Sequence, residues 1–348
     1  MTGHSDDPSG LSDDSSARAP RQPSTPAAGP VDPAPKADAK WRFGPYEVAS
    51  ELGRGGMCHV YRARHDNHEY DVALKLLRED RRKDEQMVEM FITEADLAML
   101  LDHPNLIRTY DAGEIDNNHY IAMELVEGGS LERLLRRGRE IAAPLPLDFA
   151  LFVVSEVLEG LHALHTAAGH TGRPLGLIHR DVTPQNIFLS FDGRVILGDF
   201  GVALIRAYGA SDPRLVMGKL GYLAPEMVLM ENVDHRADLF AASIVLWELL
   251  TGQRLFHGGG ETAVLERIAD AKVARPSKHR TNLPTGLDDV LLKGLARRPK
   301  DRFESAEAML YALEPFWSRT LAGPQGLAAY LSASFPSEYD AYRQQQKV

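Results

Sequence analysis

"HRDVTPQNIFLSFDGRVILGDF", residues 179–200, is the stretch on which the reading of this chain turns. It opens on His179, Arg180 and Asp181 and reaches Asn186 at the start of an apolar run. "NIFLS" and "VILGDF" have the composition of strands, and "FDGR" between them reads as the turn of a hairpin. The second strand ends by delivering Asp199. A lone aspartate in a loop is ordinarily a turn former or a cap. Two acids and an amide arranged around one hairpin argue against so plain a role.

Upstream of this hairpin the text is mostly strand-like. "YEVASELG" (46–53), "HVYRARH" (59–65), "DVALKLL" (71–77) and "HYIAMELV" (119–126) each predict a strand. One helix interrupts them: "EMFITEADLAMLLD" (89–102) spaces Phe91, Ala95, Ala98 and Leu101 along a single face. After "EGG" the pattern turns helical, in "SLERLLRR" (130–137) and "LDFALFVVSEVLEGLHALH" (147–165). Strands first and helices later predict an α+β protein, with a small β-rich lobe packed on a larger helical one.

Composition sets the class. Of 348 residues, 44% are apolar and 25% charged, which is the balance of a soluble globular protein with a sizeable core. The formal net charge of −10 argues against a nucleic-acid partner, since such proteins carry basic stripes. A single cysteine, Cys58, rules out an internal disulfide and fits a reducing, cytoplasmic setting. No apolar run is long enough to predict a membrane span, and the N-terminus does not read as a secretory signal. Residues 1–40, rich in Pro, Ser, Ala and Asp, hold too few large apolar side chains to offset ordering entropy, so they are expected to be a disordered leader.

Taken in order, the motifs resemble a eukaryotic-type protein kinase of the kind bacteria also use. The ordered series is a glycine loop "GRGGMCHV" (53–60), "VALK" (72–75), "HRD" followed by Asn186, "DFG" opening at Asp199, and "APE" (224–226). The resemblance runs from about Tyr46 to about Phe316, and the wording of the catalytic loop is similar to that of myxobacterial serine/threonine kinases. It implies a bilobal kinase fold: leader 1–40, N-lobe 41–126, C-lobe 127–316 and a helical extension 317–348. It also implies ATP and Mg2+ as ligands and a protein Ser/Thr hydroxyl as acceptor.

The resemblance assigns roles residue by residue. Gly53, Gly55 and Gly56 let backbone N–H groups approach phosphates without side-chain clash. Cys58 stands where the family carries a third glycine; it is read either as a redox-sensitive thiol or as a tolerated small residue. Lys75, a lysine pointing inward from a strand, is costly unless paired. Its expected partner is Glu94, with Glu89 and Asp96 as neighbouring competitors. Val60 and Ala73 would cover the adenine from above and Phe188 from below. Met123 would stand at the back, and the backbone near Glu124 and Val126 would meet the base edge. Asp181 would accept the substrate's proton, and Asn186 and Asp199 would hold magnesium. His179 would be structural. Glu226 would pair with Arg302, and Asp238 would brace the catalytic loop from the start of a buried helix. The "APE" platform favours a protein substrate over a small molecule.

Two positions depart from the family. Where it has a lysine two residues past the catalytic aspartate, this chain has Thr183; where it has a threonine ahead of "APE", this chain has Lys219. The two side chains look exchanged, so Lys219 is expected to bring its ammonium to the γ-phosphate from the opposite wall of the cleft. The rival reading is a pseudokinase scaffold that binds nucleotide or a partner without transfer.

Other expectations concern the loops and the tail. Any activation-segment phosphate, normally met by Arg180, is expected on Ser211 rather than Tyr208; the alternative is a segment ordered without phosphate. The insertion "HTAAGHTGRPLG" (165–176) carries His165 and His170, and with no supporting cysteine or carboxylate it is expected to be a solvated loop rather than a metal site. Leu327, Tyr330, Leu331 and Phe335 fall at helical spacing, and their face is expected to pack on the helical lobe.

Overall fold

The computed structural model describes residues 40–141, 144–169, 171–199, 219–316 and 322–346. The expectations about the leader, His170, Tyr208 and Ser211 lie outside them.

Six strands form one antiparallel sheet: β1 (Trp41–Phe43), β2 (Tyr46–Arg54), β3 (Cys58–His65), β4 (Asp71–Leu77), β5 (Thr109–Ile115) and β6 (Asn118–Glu124). Their order is β1-β2-β3-β4-β6-β5. β4 is central, and all of it after Asp71 is buried because both its faces are covered. Val72, Leu74 and Leu76 pack with Tyr46, Val48, Ala63 and Tyr120. Side chains alternate along a strand, so Ala73, Lys75 and Leu77 share the other face. There Leu77 meets α1 (Glu85–Met99) through Met87, Met90, Phe91 and Ala95. Asp84 caps this helix, accepting from the backbone N–H groups of Gln86 and Met87. The buried stripe of α1 runs Met87, Met90, Phe91, Glu94, Ala95, Ala98, so Glu94 lies in an apolar seam facing β4.

Two strands of the large sheet were not foreseen. β1 is three residues long, too short to show alternation. β5, "TYDAGEI", is an edge strand with one side in solvent, so it carries few apolar residues.

Below the sheet, a small antiparallel ribbon joins β7 (Gly128–Ser130), β8 (Ile187–Ser190) and β9 (Val195–Leu197). The helical lobe surrounds α2 (Leu131–Glu140), α3 (Leu147–Thr166), α4 (Pro225–Val228) and α5 (Arg236–Thr251). α5 is buried from Ala237 to Leu250, as a helix that is apolar nearly all round must be. Gly252, in the left-handed region at φ 73°, ends it. α6 (Gly260–Asp270), α7 (Leu287–Gly294) and α8 (Ala306–Leu313) complete the lobe.

The insertion corrects one expectation. α3 continues to Thr166, so His165 is not in a solvated loop. Its side chain is buried and its Nε2 lies 2.8 Å from Asp238 Oδ2. The supporting carboxylate comes from α5, far along the chain, where local spacing cannot reveal it.

The last two helices, α9 (Pro324–Ser334) and α10 (Pro336–Gln345), fold back on the molecule. Leu327 and Leu331 are buried in the helical core, with Tyr330 and Phe335 packed at its margin. Gly193 turns the β8–β9 hairpin at φ 91°, and a Cβ there would lie 1.8 Å from the Pro324 carbonyl oxygen, so only glycine admits α9 so closely. The Arg133 guanidinium sits 4.4 Å from the Phe335 ring centroid. Tyr339 and Tyr342 each lie 5.5 Å from Phe191, in the same hairpin. Arg62 of β3 donates to Gln345 (3.2 Å) and to Glu127 (2.7 Å), so α10 touches both lobes behind their junction. No helix among the described residues is long and apolar enough to cross a membrane.

Leu327 is fully buried, so Leu327→Ala is expected to lower unfolding stability by about 2–5 kcal/mol. Urea denaturation would show it. A loss within error of zero would mean that α9 is only loosely held in solution.

Candidate functional site

The two lobes enclose a cleft of about 720 Å³. Its roof is the β2–β3 hairpin, whose Gly55 N–H donates to the Cys58 carbonyl at 2.8 Å. Gly53, Gly55 and Gly56 all line the cleft, and a Cβ on Gly53 would meet nothing within 4 Å, so open space lies beside that backbone. Val60, Ala73, Met123, Glu124, Val126 and Phe188 line the inner end. Leu125 and Val126 lie past the end of β6, outside its ladder. Leu52, Ile107, Ser130 and Gln185 also line the cleft and were not singled out from the sequence. Nothing in their type or spacing marks them; only the folding of the lobes brings them there.

Lys75 is the charged centre. Its Nζ lies 2.6 Å from Glu94 Oε1 and 2.9 Å from Asp199 Oδ1. Of the three acids on α1 considered as partners, the structure brings Glu94 to Lys75. Burial alone would push the ammonium's pKa down, but the charges of Asp199 and Glu94 outweigh it and hold Lys75 well above the ordinary lysine value. Lys75 in turn keeps Asp199 below the usual carboxylate range. At Glu94 burial pushes the carboxyl up against the pull of Lys75, so Asp199 is the firmer counter-charge.

Asp238 fixes the catalytic loop. Its carboxylate accepts the backbone N–H of His179 (2.8 Å) and of Arg180 (2.7 Å), besides the His165 contact. Burial pushes this carboxyl up, yet those hydrogen bonds and the two imidazoles hold it below the usual range. Arg180, at φ 65°, and Asp199, at φ 55°, occupy the left-handed region that side chains rarely adopt. Such strain persists where surrounding bonds over-determine the backbone.

Asp181 lies in the cleft wall. Its Oδ2 accepts from Asn186 Nδ2 at 2.7 Å and contacts the Lys219 ammonium. Its Oδ1 is buried, with no hydrogen-bond partner among the described residues. Asn186 Nδ2 also donates to the Asp181 carbonyl at 3.0 Å. With its amide nitrogen so committed, Asn186 has its carbonyl oxygen left for a ligand. Asp199 has a second oxygen beyond the one facing Lys75. These are hard oxygen donors, and Mg2+ asks for only one or two carboxylates beside substrate phosphates. The donor set therefore fits that ion. Thr183 is placed differently: it is 2% exposed, its hydroxyl has no partner among the described residues, and it does not line the cleft.

Lys219 reaches the cleft from the far side, just ahead of the 3-10 turn Leu220–Tyr222. The Tyr222 hydroxyl donates to Glu248 at 2.8 Å, and Arg254 sits 5.7 Å over the Tyr222 ring while bonding Glu132 at 3.0 Å. Beside it, Arg302 and Glu226 form a two-pronged pair at 2.7 Å, with both side chains almost wholly buried. The Glu248–Tyr222–Arg254–Glu132 chain was not foreseen, because it links residues of three separate segments.

The comparisons with known proteins identify the family. A family model described as the protein kinase domain matches residues 46–312. The tyrosine-protein kinase MasK of Myxococcus xanthus is 35% identical over 302 residues, covering 85% of this chain and 47% of that protein. The serine/threonine-protein kinase PknH of Mycobacterium tuberculosis is 34% identical over 269 residues, covering 76% of this chain and 40% of its own. The chain thus spans about half the length of these curated relatives. The crystal structure of the Mycobacterium tuberculosis PknI kinase domain superposes with a TM-score of 0.62 at 29% identity, covering 81% of this chain and 99% of that one.

Cys58 packs with Met57, Leu77 and Phe91, and burial pushes its thiol pKa up to about 12. A thiol so protonated is a poor nucleophile, which favours the tolerated small residue over the redox sensor. A thiol reagent at pH 8 should leave the folded chain essentially unlabelled and react fully after denaturation. Rapid stoichiometric labelling of the folded chain would contradict this placement.

Proposed function

The chain belongs to the protein kinase domain family, and from that premise we propose that it transfers the γ-phosphate of ATP to serine or threonine hydroxyls of protein substrates. The observation that carries this reading is the convergence of Lys75, Glu94, Asp181, Asn186 and Asp199 on one cleft roofed by a glycine hairpin. A scaffold without transfer would not need the Lys75–Glu94 pair and the braced Asp181 together.

The placement of the residues supports the following roles. The glycine hairpin covers the phosphates, and Lys75, held by Glu94, meets the α- and β-phosphates. Val60, Ala73 and Phe188 enclose the adenine, with Met123 behind it and the backbone of Glu124 to Val126 at its edge. Asn186 and Asp199 would hold Mg2+, which supplies charge neutralisation along the triphosphate when bound. Asp181, with Oδ2 already bonded, offers Oδ1 to the acceptor hydroxyl and takes its proton. The segment from Lys219 to Glu226, anchored by Tyr222 and Arg302, is a platform for an extended peptide. ATP as substrate also makes the cytoplasm the proposed setting.

The relatives differ in the hydroxyl their names specify. MasK is named a tyrosine kinase, whereas PknH, PknL and a Streptomyces coelicolor relative are named serine/threonine kinases. Labelled ATP followed by phosphoamino-acid analysis decides. Phosphoserine or phosphothreonine is expected, and Asp181→Asn should lower transfer by about 10²–10⁴-fold. Phosphotyrosine alone would move the acceptor assignment to the phenol. Absence of any transfer from native chain would leave the scaffold standing.

A further inference from the structure

We propose that Lys219 is a catalytic residue: its ammonium is the cation beside the phosphoryl group in flight, delivered from the substrate platform instead of from position 183. The inference rests on the phosphotransfer reading and deepens it.

Position 183 cannot supply the charge. Thr183 is buried and absent from the cleft wall, and its side chain is short and neutral. Among the described residues lining the cleft, the other cations are engaged elsewhere. Lys75 is held between Glu94 and Asp199. Arg54 bonds Glu51 through two nitrogens, at 2.5 and 2.8 Å, out on the hairpin. Lys219 is the cation at the Asp181 end, in direct contact with Oδ2 of the base. It lines the same cleft as Lys75, Glu94 and Asp199.

The placement is pre-organised. Tyr222 N–H donates to the Lys219 carbonyl at 3.1 Å, and the Tyr222 hydroxyl is tied to Glu248. The backbone that carries Lys219 is therefore pinned to α5, while four methylenes give its head the reach. A donor already aimed at developing charge needs no reorganisation during the reaction.

In the step itself, the acceptor hydroxyl gives its proton to Asp181 Oδ1 and its oxygen bonds the γ-phosphorus. The bond from that phosphorus to the bridging oxygen breaks, and the electron pair leaves with ADP. Before substrate arrives Lys219 neutralises the Oδ2 side of the base; during transfer the same ammonium offsets charge on the phosphoryl oxygens.

The test uses the full chain and four variants: Lys219→Met, Lys219→Arg, Thr183→Lys, and the double exchange Thr183→Lys with Lys219→Thr. Each is assayed for kcat, KM for ATP, binding of a fluorescent ATP analogue, and melting temperature. Lys219→Met should lower kcat by about 10²–10³-fold while nucleotide binding and melting temperature hold. Lys219→Arg should keep part of the activity. The double exchange should recover about tenfold or more over Lys219→Met, as expected for positions that share one task. Full activity in Lys219→Met overturns the inference alone. So does a folded double exchange with no recovery, or a loss confined to KM or stability, which would mark a merely structural lysine. A native chain without any transfer overturns the phosphotransfer reading, and this inference with it.

Discussion

A single buried carboxylate holds the catalytic geometry together. Asp238 starts the central helix α5, deep in the helical lobe, where an unpaired charge would be very unfavourable. It is tolerated because three donors converge on it: the amides of His179 and Arg180 and the imidazole of His165. The dependence runs both ways. The carboxylate needs the loop to be satisfied, and the loop needs the carboxylate to sustain left-handed Arg180. Asp181 is the next residue, so the position of the base follows from a helix that is buried from Ala237 to Leu250. Removing one donor leaves a buried charge under-satisfied, which is why the loop does not simply relax.

A second buried pair does the same for the platform. Glu226 and Arg302 lie 76 positions apart, yet Arg302 fills both carboxylate oxygens and donates to three backbone carbonyls as well. Buried ion pairs are weak sources of net stability, but breaking one strands a charge. The pair thus specifies where the "APE" segment sits more than it stabilises the fold. The C-terminal helices act at the opposite edge. Tyr339 and Tyr342 pack their rings against Phe191 of the β8–β9 hairpin, and Arg62 links Gln345 with Glu127 at the lobe junction. β7 therefore has the cleft on one side and Leu331 and Phe335 on the other.

How much of this could be read beforehand depended on whether the signal was local. The alternation in "DVALKLL" set the face of Lys75 and the stripe through Phe91, Ala95 and Ala98 ran beside Glu94, but it was the resemblance to protein kinases that chose Glu94 over Glu89 and Asp96 as the partner. Asp181, Asn186 and Asp199 were legible because one hairpin holds them. His165 was misread because its partner lies 73 positions away, and a histidine near glycines looks like a loop when its helix ends late. β5 was missed because an edge strand need not be apolar. The Tyr222 chain joins α2, the platform and the C-terminal end of α5, and no window of sequence contains it.

Under the proposed mechanism, moving the cation from the catalytic loop to the platform changes what the chain can do before its substrate is in place. A lysine at position 183 would belong to the loop that Asp238 braces, and would be present whenever the lobe is folded. Lys219 belongs instead to the segment that supports the peptide, and it is held through Tyr222, Glu248, Arg254 and Glu132. Disturbing that segment then removes the charge beside the phosphoryl group as well as the surface under the substrate. Order in the platform and competence for transfer become one physical condition, because one side chain serves both. The same contact makes Asp181 and Lys219 mutual restraints, so the position of one limits the position of the other.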